Sequence, residues 1–447
     1  MSPEFELPAP PPRLPVDDLR EAWRVLDREE RVDGFRLLGS LEAQDFFQAL
    51  STHDQSELVL GLSPGEQRLW LRSLAPDDAA DLVQEAPAEL RESLLVSLEE
   101  STRREVRALL AYEEDDAGGL MSPRFARVRP DMTVDEAILY LRRQATIQHL
   151  ETIYYAYVLD REQKLLGVVS FRDLFQARGA SPVRDVMNSE LVTVPATMDQ
   201  EAVGRVFARH DLTAIPVVDE GGRMVGIVTV DDIVDVVQEE ATEDIHKIGG
   251  SEALDAPYLE VGLGGMLQKR AGWLIVLFLA QFLTIQVLLH YESFLDRLAV
   301  LAVFIPMIVS SGGNSGSQAS TLVIRALALG EVRLRDWGRV LLRELAVGLS
   351  LGLLLGGIGL LRIVLLPPES HSGPAPDPWR LGSTVALSVL GVVLWGTLSG
   401  SMLPFVLRRA GLDPAGASAP LVSTLVDVVG LLVYVTVASA ILAAALG

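Results

Sequence analysis

Hydrophobic and polar positions along the chain fall into two regimes. Up to about residue 270 the apolar residues come in short clusters separated by charges; from Ala271 onward five long stretches carry few charges. These stretches, near 271–291, 298–325, 340–366, 381–407 and 419–446, are each long enough for a bilayer-crossing helix, for which about 20 apolar residues suffice. Within the charged regime, residues 17–112 show helical periodicity broken at short intervals. Leu58-Val59-Leu60, Leu69-Trp70-Leu71, Leu82-Val83 and Leu94-Leu95-Val96 fall on amphipathic faces, and Ser63-Pro64 and Ala75-Pro76-Asp77-Asp78 read as helix starts. The pattern predicts short antiparallel helices in a small superhelical array.

The period changes over residues 121–240, which contain an internal repeat of roughly 60 residues. Each copy has a helical segment, a β-branched strand (153–159; 214–219), a turn and a second strand. The first copy closes on Leu165-Leu166-Gly167-Val168-Val169-Ser170-Phe171-Arg172-Asp173, the second on Met224-Val225-Gly226-Ile227-Val228-Thr229-Val230-Asp231-Asp232. A hydroxyl at the strand end with Asp three residues later suits helix capping, and equally suits gripping a ribose or a cation at the helix N-terminus. The two copies resemble a tandem pair of CBS domains, which implies a regulatory module that binds adenine nucleotides or ions.

Charge then orients the apolar half. The start, residues 1–13, is acidic and proline-rich and lacks the basic and apolar regions of a signal peptide, so the N-terminal half is expected in the cytosol. The inner face then receives Lys269, Arg270, Arg333, Arg335, Arg339, Arg343, Arg408 and Arg409, against Arg297, Arg362 and Arg380 outside. That asymmetry fits the positive-inside rule, and five spans put the C-terminus outside. The 447 residues hold 60 acids against 38 bases, a net charge of −22, concentrated before Lys269. Nucleic acid is thereby excluded as a partner, since phosphate binding needs clustered Lys and Arg; cations are compatible ligands. With no cysteine, thiolate chemistry and Cys-ligated metals are excluded, and His53, His149, His210, His246, His290 and His371 show no metal-ligand spacing. No nucleophile–base pair or phosphate-cradling glycine loop appears, so an enzyme is not expected.

Two features of the apolar half carry chemistry. Asp427 is the one charged residue of 421–446. An acid at such depth costs roughly 2.5–3.5 kcal/mol on insertion scales and usually faces a bundle interior or an aqueous path. It reads as a functional acid or as a packing acid bonded to a neighbouring hydroxyl. The second span carries Ser310-Ser311-Gly312-Gly313-Asn314-Ser315-Gly316-Ser317-Gln318, whose glycines predict an interruption of the helix that lines a watery cavity; close packing through small residues is the alternative.

Residues 306–318, with Gly-Gly-Asn-x-Gly-x-Gln, and Ser418-Ala419-Pro420-Leu421-Val422-Ser423-Thr424-Leu425-Val426-Asp427 are similar to the second and fifth spans of MgtE-family magnesium channels. Tyr112-Glu113-Glu114-Asp115-Asp116-Ala117-Gly118-Gly119-Leu120-Met121 and Glu240-Ala241-Thr242-Glu243-Asp244-Ile245-His246-Lys247 extend the resemblance over nearly the whole chain. It implies a multidomain fold: an all-α N-terminal regulatory domain (1–118), an α/β tandem CBS pair (119–240), a connecting, plug-like helix (241–268) and a five-helix transmembrane pore domain (269–447). It further implies a homodimer in the inner membrane with a pore on the two-fold axis, where Asp427 is the essential acid beside Gly312, Gly313 and Asn314. Regulatory Mg2+ would be held by Asp199, Glu201, Asp211, Asp232, Asp235, Glu240, Glu243 and Asp244, with Asp77 and Asp81 from the N-terminal domain, and high cytosolic Mg2+ would close the pore. ATP is the further ligand implied, at Tyr155, Arg172 and Asp173, although Leu212 stands where some members have a stacking aromatic. Ala419 stands where some have Asn before the proline, which removes that ligand from the pore entrance. Two other readings of the residues stay open: a carrier or exporter of another divalent ion, and a membrane-anchored nucleotide sensor.

Overall fold

The computed structural model describes residues 14–147, 150–152, 154–254, 258–259, 261–368 and 377–442. The readings of residues 1–13, His149, Ile153, His371 and the 443–446 end of the fifth span lie outside the described residues. The chain divides into two compact units, Met1–Glu239 and Glu240–Gly447.

In the first unit, short helices run from Val16–Ala22 through Glu100–Leu109. Their starts are set by local chemistry. Asp27 with Glu30 and Ser63 with Glu66 form reciprocal capping boxes, and Pro64 occupies the first turn after Ser63. Phe35, Phe46, Phe47 and Trp70 pack as an aromatic cluster with ring centroids 4.9–6.3 Å apart. This core continues without a gap into Val194, Phe207, Ile215 and Ile233 of the second repeat copy. The 112–121 segment joins the two parts through Ala117 N–Met198 O (2.7 Å) and Gly118 N–Ala196 O (2.8 Å). A Cβ on Gly118 would lie 2.4 Å from the Tyr112 ring, so only glycine fits that crossing.

The repeat folds as two equivalent three-stranded sheets. The first is Arg127–Val128, Tyr155–Leu159, Leu165–Ser170; the second is Val194–Pro195, Ala214–Val218, Met224–Thr229. In each, the first pairing is parallel and the second antiparallel, with the register shift at the same place, Val158/Leu159 and Val217/Val218. Helix capping at the strand ends is realised in both copies. Asp173 N donates to Ser170 Oγ (3.0 Å) in the first, and Thr229 N donates to Asp232 Oδ2 (3.2 Å) in the second. The helix after the second copy runs unbroken over Val230–Ile248. Of the connecting helix expected at 241–268, residues 241–248 are the end of this one, 249–254 are not helical, and 263–268 open the first span. The Val230–Ile248 helix ends at Gly249-Gly250, where Gly250 has a positive φ of 78° that stops helical propagation.

The second unit holds five helices of membrane-crossing length: Leu263–His290, Ala299–Ala328, Leu334–Leu365, Pro378–Arg409 and Ala419–Leu442. The second span corrects an expectation. Its glycine run does not interrupt it: Ile305–Ala328 is a continuous α-helix through residues 310–318, and the irregular backbone lies earlier, in a 3-10 turn at Ala299–Phe304. The glycines serve as a packing surface instead. A Cβ on Gly396 of the fourth span would lie 2.2 Å from Gly312 O, and one on Gly400 would lie 2.1 Å from Gly316 O. Two small-x-x-x-small faces thus interlock, which lets the backbones touch. Ser315 and Thr397 hydroxyls share a hydrogen bond of 2.7 Å across the same seam. Gly352 and Gly356 of the third span repeat the device, their added Cβ atoms meeting Leu390 Cα at 2.9 Å and Ala386 O at 2.6 Å. The first span differs: Leu277 is its one buried residue among those described, and Phe278, Leu279, Phe282 and Leu283 are exposed.

A methyl group at Gly396 forces the second and fourth helices apart, an overpacking cost of about 1–3 kcal/mol. Gly396→Ala should lower the thermal midpoint of the purified protein in fluorescence-detected unfolding. Gly357→Ala, on the same bundle but with nothing within 4 Å of its added Cβ, should leave it unchanged.

Candidate functional site

Asp427 stands about one-third along the last span, half-buried. It lines a cavity of about 320 Å3 together with Thr284 and Leu288 of the first span, Ile305, Pro306, Val309, Ser310 and Asn314 of the second, and Ser423 and Leu431 of its own helix. Asn314 is exposed towards this space, while Gly312 is buried in the seam with the fourth span. Gly313 lies against the fifth span: its added Cβ would approach Ser423 Oγ at 3.0 Å. Of the four residues expected at the pore, Asp427 and Asn314 therefore offer side chains to one cavity, and the two glycines set the helix spacing around it. The Asp427 carboxylate accepts a hydrogen bond from Gln281 Nε2 at 2.5 Å. Gln281 was invisible to the sequence reading. Its only signal is an amide on an apolar helix, three residues before Thr284 and so on the same face.

The cytosolic end of this unit is tied to the loop before the fifth span. Lys247 Nζ reaches Asp413 Oδ2 at 2.7 Å and Glu243 Oε1 at 2.6 Å. Burial alone would lower the Lys247 pKa, but these two carboxylates outweigh it and push it up to about 12. Trp273 Nε1 donates to Ser418 Oγ at 3.1 Å, and Ile248 packs on Ala415 and Ala417.

The first unit gathers acids. Asp77 is buried, and its Oδ1 has no hydrogen-bond partner among the described residues. Burial pushes its pKa up to about 9, assisted by the negative charges of Glu151, Asp78 and Asp232. Burial raises Asp81 to about 7, with Asp78, Glu114, Asp232 and Glu239 adding to it. Asp232 also rises to about 7, mainly by burial, against hydrogen bonds from Thr229 that favour the charged form. Asp235 acts on Asp78, whose pKa is raised chiefly by burial. The structure thus brings Asp77, Asp81, Asp232 and Asp235 into one cluster and adds Asp78, Glu114, Glu151, Asp231 and Glu239, which the sequence reading missed.

Other expected ligands have local roles. Asp199 caps the helix Gln200–His210 through Ala202 N (3.0 Å) and sits beside Asp116. Glu201 pairs with Arg205 at 2.6 Å, and Asp211 is the left-handed C-cap of the same helix, φ 50°. Glu243 is held by Lys247; Glu240 and Asp244 lie on the Val230–Ile248 helix. Among the described residues no three His, Asp or Glu side chains converge at metal-binding distance. The donor set still fits a hard cation: all are oxygen ligands, and Asp77 presents an orphaned buried oxygen. At the first repeat copy, Tyr155 opens its strand half-buried, and Arg172 and Asp173 are exposed in the first turn of Phe171–Gln176.

Residues 305–437 match the family described as MgtE divalent cation transporter, residues 14–115 the MgtE intracellular N domain, and residues 117–180 and 183–239 the CBS domain. A magnesium transporter MgtE of Thermus thermophilus is 43% identical over 431 residues, covering 96% of this chain and 93% of the relative. This chain belongs to the MgtE family of magnesium transporters. It is a transporter and not an enzyme, with an intracellular N domain ahead of two CBS domains and five membrane spans. A Bacillus subtilis magnesium transporter MgtE is 35% identical over 431 residues, covering 95% of this chain and 91% of that relative. A solved structure described as the cytosolic domain of the Mg2+ channel MgtE in complex with ATP is 44% identical. It covers 50% of this chain and 90% of that one, with a TM-score of 0.46.

The raised carboxyls fix a pH dependence for this MgtE-family chain. Asp77, Asp81 and Asp232 bind protons more tightly folded than unfolded, so without divalent cation the stability of the first unit falls as pH rises from about 4 through about 7–9. On the reading that these acids take a divalent cation, the ion would stand in for the lost protons. Protection of this unit from limited proteolysis by millimolar Mg2+ should be large at pH 8 and small at pH 5.5, and Asp77→Asn should reduce the difference.

Proposed function

We propose that this chain forms a homodimeric, magnesium-selective channel of the inner membrane, driven by the electrochemical gradient and closed by Mg2+ on its cytosolic acids. The observation that carries the reading is Asp427, an acid in a membrane-length helix that opens on a cavity walled by Asn314, Ser310, Ser423 and Thr284. A lone carboxylate is costly there, and hydroxyl and amide walls suit an ion that keeps its water shell. Magnesium sheds water reluctantly, so a hydrated ion held through its waters is the natural occupant. Two copies facing across a two-fold axis double the negative charge, and a divalent ion gains more from that than a monovalent one. The exposed apolar surface of the first span leaves ample area for lipid or a second copy.

Closure follows from repulsion among the acids. At low Mg2+ the cluster around Asp77, Asp81, Asp232 and Asp235 favours a loosened arrangement, and cation binding shifts the population towards the compact one. Asp199, Glu201, Asp211, Glu240, Glu243 and Asp244 join the regulatory set in this reading. The shift travels to the pore domain along the helix Val230–Ile248, whose Lys247 grips Asp413 ahead of the fifth span. ATP, held at Tyr155, Arg172 and Asp173, is a secondary ligand that would bias the same module.

Flux of Mg2+ into liposomes tests the reading. Asp427→Asn should reduce flux to background while the protein elutes as the wild-type assembly does. Full flux through a well-folded Asp427→Asn protein would overturn it, and strict dependence on sodium would turn it into a carrier.

A further inference from the structure

The bonding of Asp427 brings the first span into the ion path. Gln281 donates its amide to Asp427 Oδ2 at 2.5 Å, and among the described residues it is that carboxylate's hydrogen-bond partner. The direction of the bond is fixed chemically, because a carboxylate only accepts and the amide Nε2 only donates. One turn further along the same face, Thr284 lines the Asp427 cavity, and its Oγ1 is enclosed without a hydrogen-bond partner among the described residues. An enclosed hydroxyl without a partner points to a polar occupant of the cavity, since such a group otherwise forfeits its bond with water. On its other side Gln281 borders a 790 Å3 groove of apolar residues that also includes Arg270 and Thr424. It therefore links the acid to an apolar surface, and among the described residues its amide makes the one hydrogen bond that orients the carboxylate.

We propose that Gln281 is a positioning residue for ion passage, its amide holding the Asp427 carboxylate in the orientation that meets a hydrated divalent cation. The proposal rests on Asp427 being the ion site. A hexahydrated ion contacts the carboxylate through its waters, so the acid's orientation decides how many of those contacts form at once. One carboxylate oxygen committed to the first span leaves the other for the ion. The amide adds no charge, so it orients the acid without neutralising it, as Lys or Arg at this place would.

The experiment measures Mg2+ flux into liposomes across a range of Mg2+ concentrations for the full-length protein, Gln281→Met, Gln281→Leu and Asp427→Asn. Both apolar substitutions suit a membrane helix, and assembly is checked by elution volume. The expected result is a rise in half-saturating Mg2+ of about fivefold or more in both Gln281 variants with maximal flux retained, the scale of one charge-assisted hydrogen bond partly replaced by water. An unchanged half-saturating concentration overturns the proposal, whether maximal flux is preserved or falls, because a fall in maximal flux alone marks a structural role. Asp427→Asn separates the two claims: flux retained there removes the ion site itself, whereas flux lost there with Gln281 variants unaltered removes only the positioning role.

Discussion

Contact of backbone on backbone between the second and fourth spans is the constraint on which the membrane unit depends. Gly312 and Gly316 present their carbonyls to Gly396 and Gly400 at distances no side chain could enter. In a helix two residues are about 200° apart, so a seam through 312 and 316 turns 310 and 314 to the opposite side. That opposite side is where Ser310 and Asn314 face Asp427. The glycines thus set the position of the polar wall without touching the cavity themselves, apart from Gly313 against Ser423. A single seam in this way fixes both the packing of the bundle and the polarity of one internal space.

Electrostatics organises the other unit by frustration. Its apolar core runs from the N-terminal helices into the second CBS copy and forces acids of both parts together. Asp77 bears the largest consequence, with a buried oxygen lacking a partner and a pKa raised to about 9. Such an arrangement gains stability from bound protons, and the proposed sensing role rests on cations gaining from the same repulsion. The helix Val230–Ile248 carries Asp231 and Asp232 in its first turn and Lys247, which pairs with Asp413, in its last.

Much of this was legible in the sequence because it is written in periods. Charge-poor stretches gave the five spans, and the repeated strand–hydroxyl–x-x-Asp pattern gave two sheets with the same register shift. The glycine run was misread as a break because helix propensity is local, whereas the matching glycines, Gly396 and Gly400, lie on another span far along the chain. Asp427 stood out as a charge where none is expected; Gln281 did not, since its role exists only through the carboxylate it meets. The acids divided for a similar reason. Asp199 and Asp211 occupy the two ends of one helix and are engaged there, a short-range fact, while Glu151 and Asp232 join Asp77 only through tertiary packing.

Electrical recording across a planar bilayer tests the account most directly, with the full-length protein under a Mg2+ gradient and the cytosolic-side concentration varied. The account predicts currents that reverse at the Mg2+ equilibrium potential, and an open probability that falls as cytosolic Mg2+ rises into the millimolar range. Transport without current, or current indifferent to cytosolic Mg2+, would contradict it.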